Sequence, residues 1–163
     1  MFSLKKSLFG FFVVTLTLGF SVSQTRAAGQ TVVTIGFDDG NADQYTARAI
    51  LSAHNMHGTF FVNTGVVGDS THLSWTQLSD LYADGNEIAG HTLTHTNLKK
   101  LKTAALRQQV CSDRVNLFNH GFQPVSFAYP FGSYDSAAVQ TVKDCGYNSA
   151  RTVSQGPDSI PNY

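Results

Sequence analysis

The 163-residue sequence has no surplus of charge: eleven Lys plus Arg balance eleven Asp plus Glu, and charged residues make up only 13% of it. A nucleic-acid-binding surface needs a basic patch. The nearest approach to one, Lys99, Lys100 and Lys102, reads as a solvated helix face, so a nucleic-acid partner is not expected. The chain also lacks an apolar run long enough to span a bilayer. Its longest, Leu8 to Val22, has fifteen largely apolar residues, against the ~20 that a transmembrane helix requires. No internal repeat or low-complexity tract occurs, which removes solenoid and array architectures. Cysteine is scarce, with Cys111 and Cys145 alone, so at most one intrachain bridge can form.

What is present begins with an address. Lys5 and Lys6 precede the apolar run, and a polar stretch ending in small residues follows it. That layout is a secretory signal over residues 1–28, with cleavage near Ala27 or Ala28 and Ser23 as the other position. Its loss leaves residues 29–163 as one domain with eight Lys plus Arg against eleven Asp plus Glu, no stable membrane insertion, and a secreted or cell-wall location. The hydrophobic content of 42% is enough for a core. In an oxidising compartment a Cys111–Cys145 disulfide is expected, with two buried thiols as the alternative.

The exported part alternates between strand and helix signals. Thr31 to Phe37, TVVTIGF, is an unbroken β-branched and apolar run, as in a strand buried on both faces. A helix over Ala42 to Ala53 follows, with Tyr45, Ala49, Ile50 and Ala53 on its apolar stripe. Thr59 to Val62 is the second strand. Ser74 and Gln77 form a capping box for the next helix, with Trp75, Leu78, Leu81 and Tyr82 on its apolar side and Gly85 as its stop. Glu87 to Ala89 is a short third strand. A long helix over Leu98 to His120 carries Leu101, Ala105, Val110, Val115 and Leu117 inward and ends at Gly121. Val125 to Tyr129, a helix over Ala137 to Asp144, and a strand over Asn148 to Val153 complete the pattern. Such alternation implies parallel strands covered by helices, with the chemistry at the strands' carboxyl ends.

Those ends are the informative positions. The first strand runs into GFDDG, with Asp38 and Asp39; the third into GHTLTH, with His91 and His95; the fourth into FAYPFG. Each has an ordinary reading: the aspartates as a turn or helix cap before Gly40, the histidines as one exposed helical face. Taken as one rim, a carboxylate and two imidazoles form a facial ligand set for Zn²⁺ or a similar divalent ion. The second carboxylate then stands beside the ion as a proton acceptor. His54 and His57 at a helix exit, His72 in a loop and His120 at a helix end read as solvated or capping residues; His72 approaches the rim only if the loop over 64–73 folds across it.

With these segments in view, the sequence resembles the polysaccharide deacetylases with the NodB homology domain, carbohydrate esterase family four. GFDDG is similar to the family's TFDDG, HTLTH to H-[ST]-x-x-H, and YPFG to R-x-P-[FY]; GTFFV and DGNEIAGH agree as well. The resemblance implies a distorted parallel (β/α) barrel that removes N- or O-acetyl groups from polysaccharide with a Zn²⁺-like ion, Co²⁺ being the other candidate. On it, Asp38 is the general base, Asp39, His91 and His95 are the metal ligands, and the backbone N–H of Phe131 faces the oxyanion.

Three departures accompany the match. Gly36 stands where the family has Thr or Ser, and the arginine of the third motif falls on Ala128, with Arg151 as a possible replacement from the fifth strand. The family's fourth and fifth motifs, including a late histidine acting as general acid, have no counterpart before Tyr163, so the domain is expected to be partial and to lack its last strands. Two functions follow: a secreted metal-dependent deacetylase acting on an acetylated glycan, or a catalytically incomplete carbohydrate-binding protein of the same fold.

Overall fold

The computed structural model describes residues 32–154; the expected signal segment and the tail from residue 155 lie outside them. Five strands are found among the described residues: β1 (Gly36–Phe37), β2 (Thr59–Val62), β3 (Glu87–Gly90), β4 (Ser126–Ala128) and β5 (Ser149–Arg151). All four neighbouring pairs are parallel and lie in chain order. Parallel neighbours need a crossover between them, and the chain supplies these with α1 (Ala47–Ala53), α2 (Trp75–Ala83), α3 (Thr103–Asn119) and α4 (Ser136–Asp144). The expected barrel of parallel strands is thus observed as a curled half-barrel. Its curl is visible in one contact, because Arg151 on β5 ion-pairs with Asp38 just past β1.

Side chains alternate across the strands. Phe60, Val62 and Ile88 point to the helices and pack with Leu51, Leu78 and Leu81. Phe127 joins Leu106, Val110 and Val142 in a second core beneath α3 and α4. Each such large apolar side chain, fully buried, contributes about 1.5–3 kcal/mol of transfer free energy. Phe61, Ala89 and Ala128 point the other way, into the barrel interior. At the amino ends of the strands, the Glu87 carboxylate accepts from Thr59 Oγ1, Ser126 N and Ser126 Oγ. That stitch supports the β3–β4 pair, whose register rests on Gly90 and Phe127 alone.

Several element readings hold and several shift. Ser74 and Gln77 form the capping box in full, and Gly85 ends α2 at φ +90°. The first strand is much shorter than TVVTIGF suggests, and Val33 is 71% exposed. The reason lies in the partner: β2 begins only at Thr59, opposite Gly36, so Val32, Val33 and Thr34 have no strand to pair with among the described residues. The first helix opens as a 3-10 turn over Ala42–Thr46. Five residues at three per turn instead of 3.6 rotate the later positions by about 100°, which buries Leu51 and leaves Ile50 63% exposed. The long helix starts at Thr103, after a separate 3-10 turn at Leu98–Lys100. Its buried positions are Leu106, Val110, Asp113 and Leu117, with Val115 exposed.

Cys111 on α3 and Cys145 at the end of α4 are disulfide-bonded, with Cα atoms 5.0 Å apart. The bridge closes a loop with a sequence separation of 34 residues. Loops of that size are worth about 2–4 kcal/mol through the unfolded chain's lost entropy. The Cys111→Ser/Cys145→Ser protein is expected to lose that amount in a urea titration followed by far-UV circular dichroism; an unchanged midpoint would show that α3 and α4 hold together without the bond.

Candidate metal centre

Parallel strands in chain order put all their carboxyl ends on one rim, and three of the five ends run into left-handed backbone at non-glycine residues. After β1 come Asp38, Asp39 at φ 72° and Gly40 at φ 72°. A Cβ on Gly40 would stand 3.0 Å from Val62 Cγ1, so only glycine lets this turn lie against β2. After β3 comes His91, and after β4 the Tyr129-Pro130-Phe131 turn, in which Phe131 adopts φ 60°. Left-handed backbone at non-glycine residues is costly and clusters where function dictates geometry.

His91 and His95 do not sit on a helical turn, as their spacing suggests. The segment from His91 is irregular, with Thr92 at φ 72° and His95 at φ 52°. The two imidazoles nonetheless converge, with ring centroids 4.9 Å apart. Because the segment leaves the strand ladder, its peptide groups must find other partners. Asn63 Nδ2 donates to the carbonyls of His91 and Thr92, and Gly65 N donates to the carbonyl of Leu93 at 2.9 Å. On the other side, Asp113 Oδ2 accepts from His91 N at 3.1 Å, the Gln109 carbonyl from Leu93 N at 3.1 Å, and Gln109 Oε1 from Thr94 N at 3.1 Å. Asp113 is fully buried, and burial pushes its carboxyl up to about 7 against the pull of hydrogen bonds from Thr64, His91 and Thr92.

Asp39, His91 and His95 meet at a point. One ligand atom from each lies within 4.8 Å of the other two, and Asp39 Oδ1 is 3.3 Å from Nε2 of both histidines. Neither contact is a hydrogen bond, for Asp39 Oδ1 is buried and has no hydrogen-bond partner. The His91 ring explains why. Burial holds its pKa below the ordinary histidine value, and Nδ1 lies 2.7 Å from the Ala128 carbonyl, an acceptor only, so the ring proton sits on Nδ1. Its Nε2 therefore directs a lone pair at a carboxylate oxygen. Two such acceptors facing each other repel unless a cation lies between them, and the donor set of two imidazoles and a carboxylate suits Zn²⁺ or a similar ion. The residues present fit a divalent metal.

Asp38 takes a different partner. Its Oδ1 accepts from Arg151 Nη2, and Gln44 Nε2 donates to its backbone carbonyl. Arg151 is the register partner of Ala128 across β4 and β5, and its guanidinium lies 4.4 Å over the Phe61 ring. A Cβ on Gly36 would meet Arg151 Nη2 at 3.4 Å, in ordinary van der Waals contact, so the guanidinium lies directly beside β1. The absent arginine at Ala128 thus has a structural account, since the cation is on the adjacent strand and lies beside β1, whereas nothing in the structure requires glycine at 36.

Phe131 packs its ring against His95, centroid to centroid 4.5 Å, and is 62% exposed. His72 pairs with the Asp69 carboxylate at 2.8 Å, although its own segment does lie beside Asn41. His120 stacks on Trp75 at 3.5 Å between ring centroids. Asn63, Gln109 and Asp113 were not marked by any motif. The one sequence signal for Asp113 is its place on the buried stripe Leu106, Val110, Asp113, Leu117, where a carboxylate is out of keeping with its neighbours.

The chain has relatives in sequence and in fold. YxkH of Bacillus subtilis is 29% identical over 141 residues, covering 85% of this chain and 50% of the relative. The peptidoglycan-N-acetylglucosamine deacetylase of Bacillus cereus is 23% identical over 122 residues, covering 74% and 55%. The chain spans about half the length of these curated relatives. Among solved structures, the Streptococcus pyogenes deacetylase PplD in complex with acetate shares the fold, with a TM-score of 0.71, 24% identity, and coverage of 73% of this chain and 54% of that one. The sequence profile of the family described as polysaccharide deacetylase matches residues 25–150, and by that match the chain belongs to the polysaccharide deacetylase family.

Proposed function

We propose that the protein is a secreted, metal-dependent hydrolase that removes acetyl groups from an acetylated polysaccharide. The observation that carries the reading is the buried, unbonded Asp39 Oδ1, 3.3 Å from both imidazole Nε2 atoms, with Asp38 held beside it by Arg151. Family membership supports the reaction class, and the relatives' names point to acetylated cell-wall glycans as the substrate class.

Asp39, His91 and His95 would hold the ion. Bound there, Zn²⁺ or Co²⁺ supplies a Lewis acid for the acetyl carbonyl and lowers the pKa of water. The remaining steps belong to the chain's own residues. Asp38 accepts a proton from the attacking water as its oxygen bonds to the carbonyl carbon. Arg151, anchored by the Phe61 ring and aligned by β5, keeps one Asp38 oxygen engaged and so fixes where the other points. The Phe131 N–H donates to the carbonyl oxygen as negative charge develops on it. As the acyl bond breaks, the departing nitrogen or oxygen takes the proton that Asp38 received, which releases acetic acid and frees the sugar's amine or hydroxyl.

Acetate release from chitin oligomers, peptidoglycan and acetylated xylan, with Zn²⁺ or Co²⁺ added and with both chelated, tests the reading. Metal-dependent release from at least one of these is expected, and none from any would contradict it. Asp38→Asn should bind the metal as before and release acetate about 10²–10⁴ times more slowly, because an amide cannot accept the proton.

Arg151 generates a separate prediction. Arg151→Ala leaves Asp38 unoriented and should lower kcat by about 10²-fold, the usual cost of misplacing a reacting group, with little change in KM. Adding Ala128→Arg returns a guanidinium from the paired position on β4 and should restore much of the loss. Failure of the pair to recover any activity would mean that Arg151 serves only to close the sheet's edges.

A further inference from the structure

The segment that carries the two histidines is held from both sides, and a single helix supplies every partner on one of them. Gln109 and Asp113 lie one turn apart on α3, on the face that packs against β3. Between them they accept hydrogen bonds from His91 N, Leu93 N and Thr94 N. Asp113 is the unusual member, a carboxylate with no exposed surface and, among the described residues, no cationic partner. Its second oxygen accepts from Thr64 N at 3.1 Å and Thr64 Oγ1 at 2.6 Å, on the loop after β2. That loop in turn holds the carbonyls of His91, Thr92 and Leu93 through Asn63 and Gly65. A Cβ on Gly65 would fall 2.5 Å from the Leu93 carbonyl oxygen, so the two loops touch backbone to backbone.

A buried carboxylate facing only neutral donors is expensive, and an apolar residue at this position of the stripe would stabilise the core more. Its retention beside strained backbone calls for a role other than stability. We infer that Asp113, with Gln109, is a positioning residue for the metal centre: the pair fixes the irregular path of residues 91–95, left-handed at Thr92 and His95, in the metal-free chain, so that the His91 and His95 Nε2 atoms are aimed before an ion arrives. The inference rests on the reading of Asp39, His91 and His95 as metal ligands, and adds to it that affinity is set from α3, away from every ligand atom. An Asn at 113 keeps an acceptor for Thr64 and turns an NH₂ group towards His91 N–H, so the ligand side of the brace is lost selectively.

The test is a Zn²⁺ titration of the full chain against a chromogenic chelator, with urea unfolding of each metal-free protein measured in parallel. Asp113→Asn should weaken zinc binding by about 10- to 100-fold, the usual cost of removing a group that orients a ligand. Thr64→Val removes a hydrogen bond from the same carboxylate on its other side; it should lower stability and leave zinc affinity within about twofold of wild type. Gln109→Ala, at a partly exposed site, should weaken zinc by about tenfold with little change in unfolding, and it carries the test alone if Asp113→Asn does not fold. Unchanged affinity in Asp113→Asn or, failing its folding, in Gln109→Ala would overturn the inference while the metal reading stands. So would a loss in Thr64→Val equal to that in Asp113→Asn, which would make the carboxylate a matter of general stability. A wild-type chain that binds no zinc would overturn both.

Discussion

Once the chain leaves β3 at Gly90, the peptide groups that follow have no strand to pair with, and the whole site depends on where they find partners. Unsatisfied buried N–H and C=O groups are costly. The N–H groups of His91, Leu93 and Thr94 turn to α3, and the carbonyls of His91, Thr92 and Leu93 turn to the loop after β2. That division lets Thr92 and His95 adopt left-handed backbone and brings two imidazoles together without a helix. It also couples the site to the rest of the fold, since α3 carries the buried carboxylate at Asp113 and, two residues earlier, the cysteine bonded to Cys145. The floor of the same strand end is closed by Tyr147, whose hydroxyl occupies the space a side chain at Gly90 would need.

Charge is distributed around this frame with one job per group. Asp39 presents an unbonded oxygen to the imidazoles, while Asp38, its neighbour, is drawn off by Arg151. Adjacent carboxylates left to themselves would compete for the same cation. The guanidinium separates them, and it does so from β5, where its backbone pairs with Ala128. Moving a long side chain to the next strand at the same register changes its origin by one strand spacing, about 4.8 Å, which a flexible arginine can absorb. The shift is supported by the aromatic face of Phe61.

How much of this is legible in the sequence follows from the range of the forces involved. The strand and helix order, the capping box at Ser74 and the turn at Gly85 depend on local periodicity and local hydrogen bonds, and they read correctly. The strand ends GFDDG, GHTLTH and YPFG could be placed on one rim because parallel topology forces them there. What failed to read was set by partners distant in the chain. The length of β1 is decided by where β2 begins, and the inward face of α1 by a 3-10 turn that shifts its phase. The brace at Asp113 bonds residues 22 and 49 positions away. An acidic residue on an otherwise apolar helical stripe is its only trace in the sequence, and the four-residue spacing of the histidines pointed to two imidazoles that do converge, but for a helical reason that the loop does not use.

The central claim is that Asp39, His91 and His95 form a ready-made site whose facing lone pairs require a cation. A crystal of the full chain grown with Zn²⁺, with anomalous diffraction recorded on both sides of the zinc absorption edge, tests it most directly. The account predicts one strong peak about 2.0–2.2 Å from His91 Nε2, His95 Nε2 and an Asp39 carboxylate oxygen, with residues 91–95 following the path described here. An anomalous map with no peak among these three residues would contradict it, as would a peak there reached only by refolding of that loop.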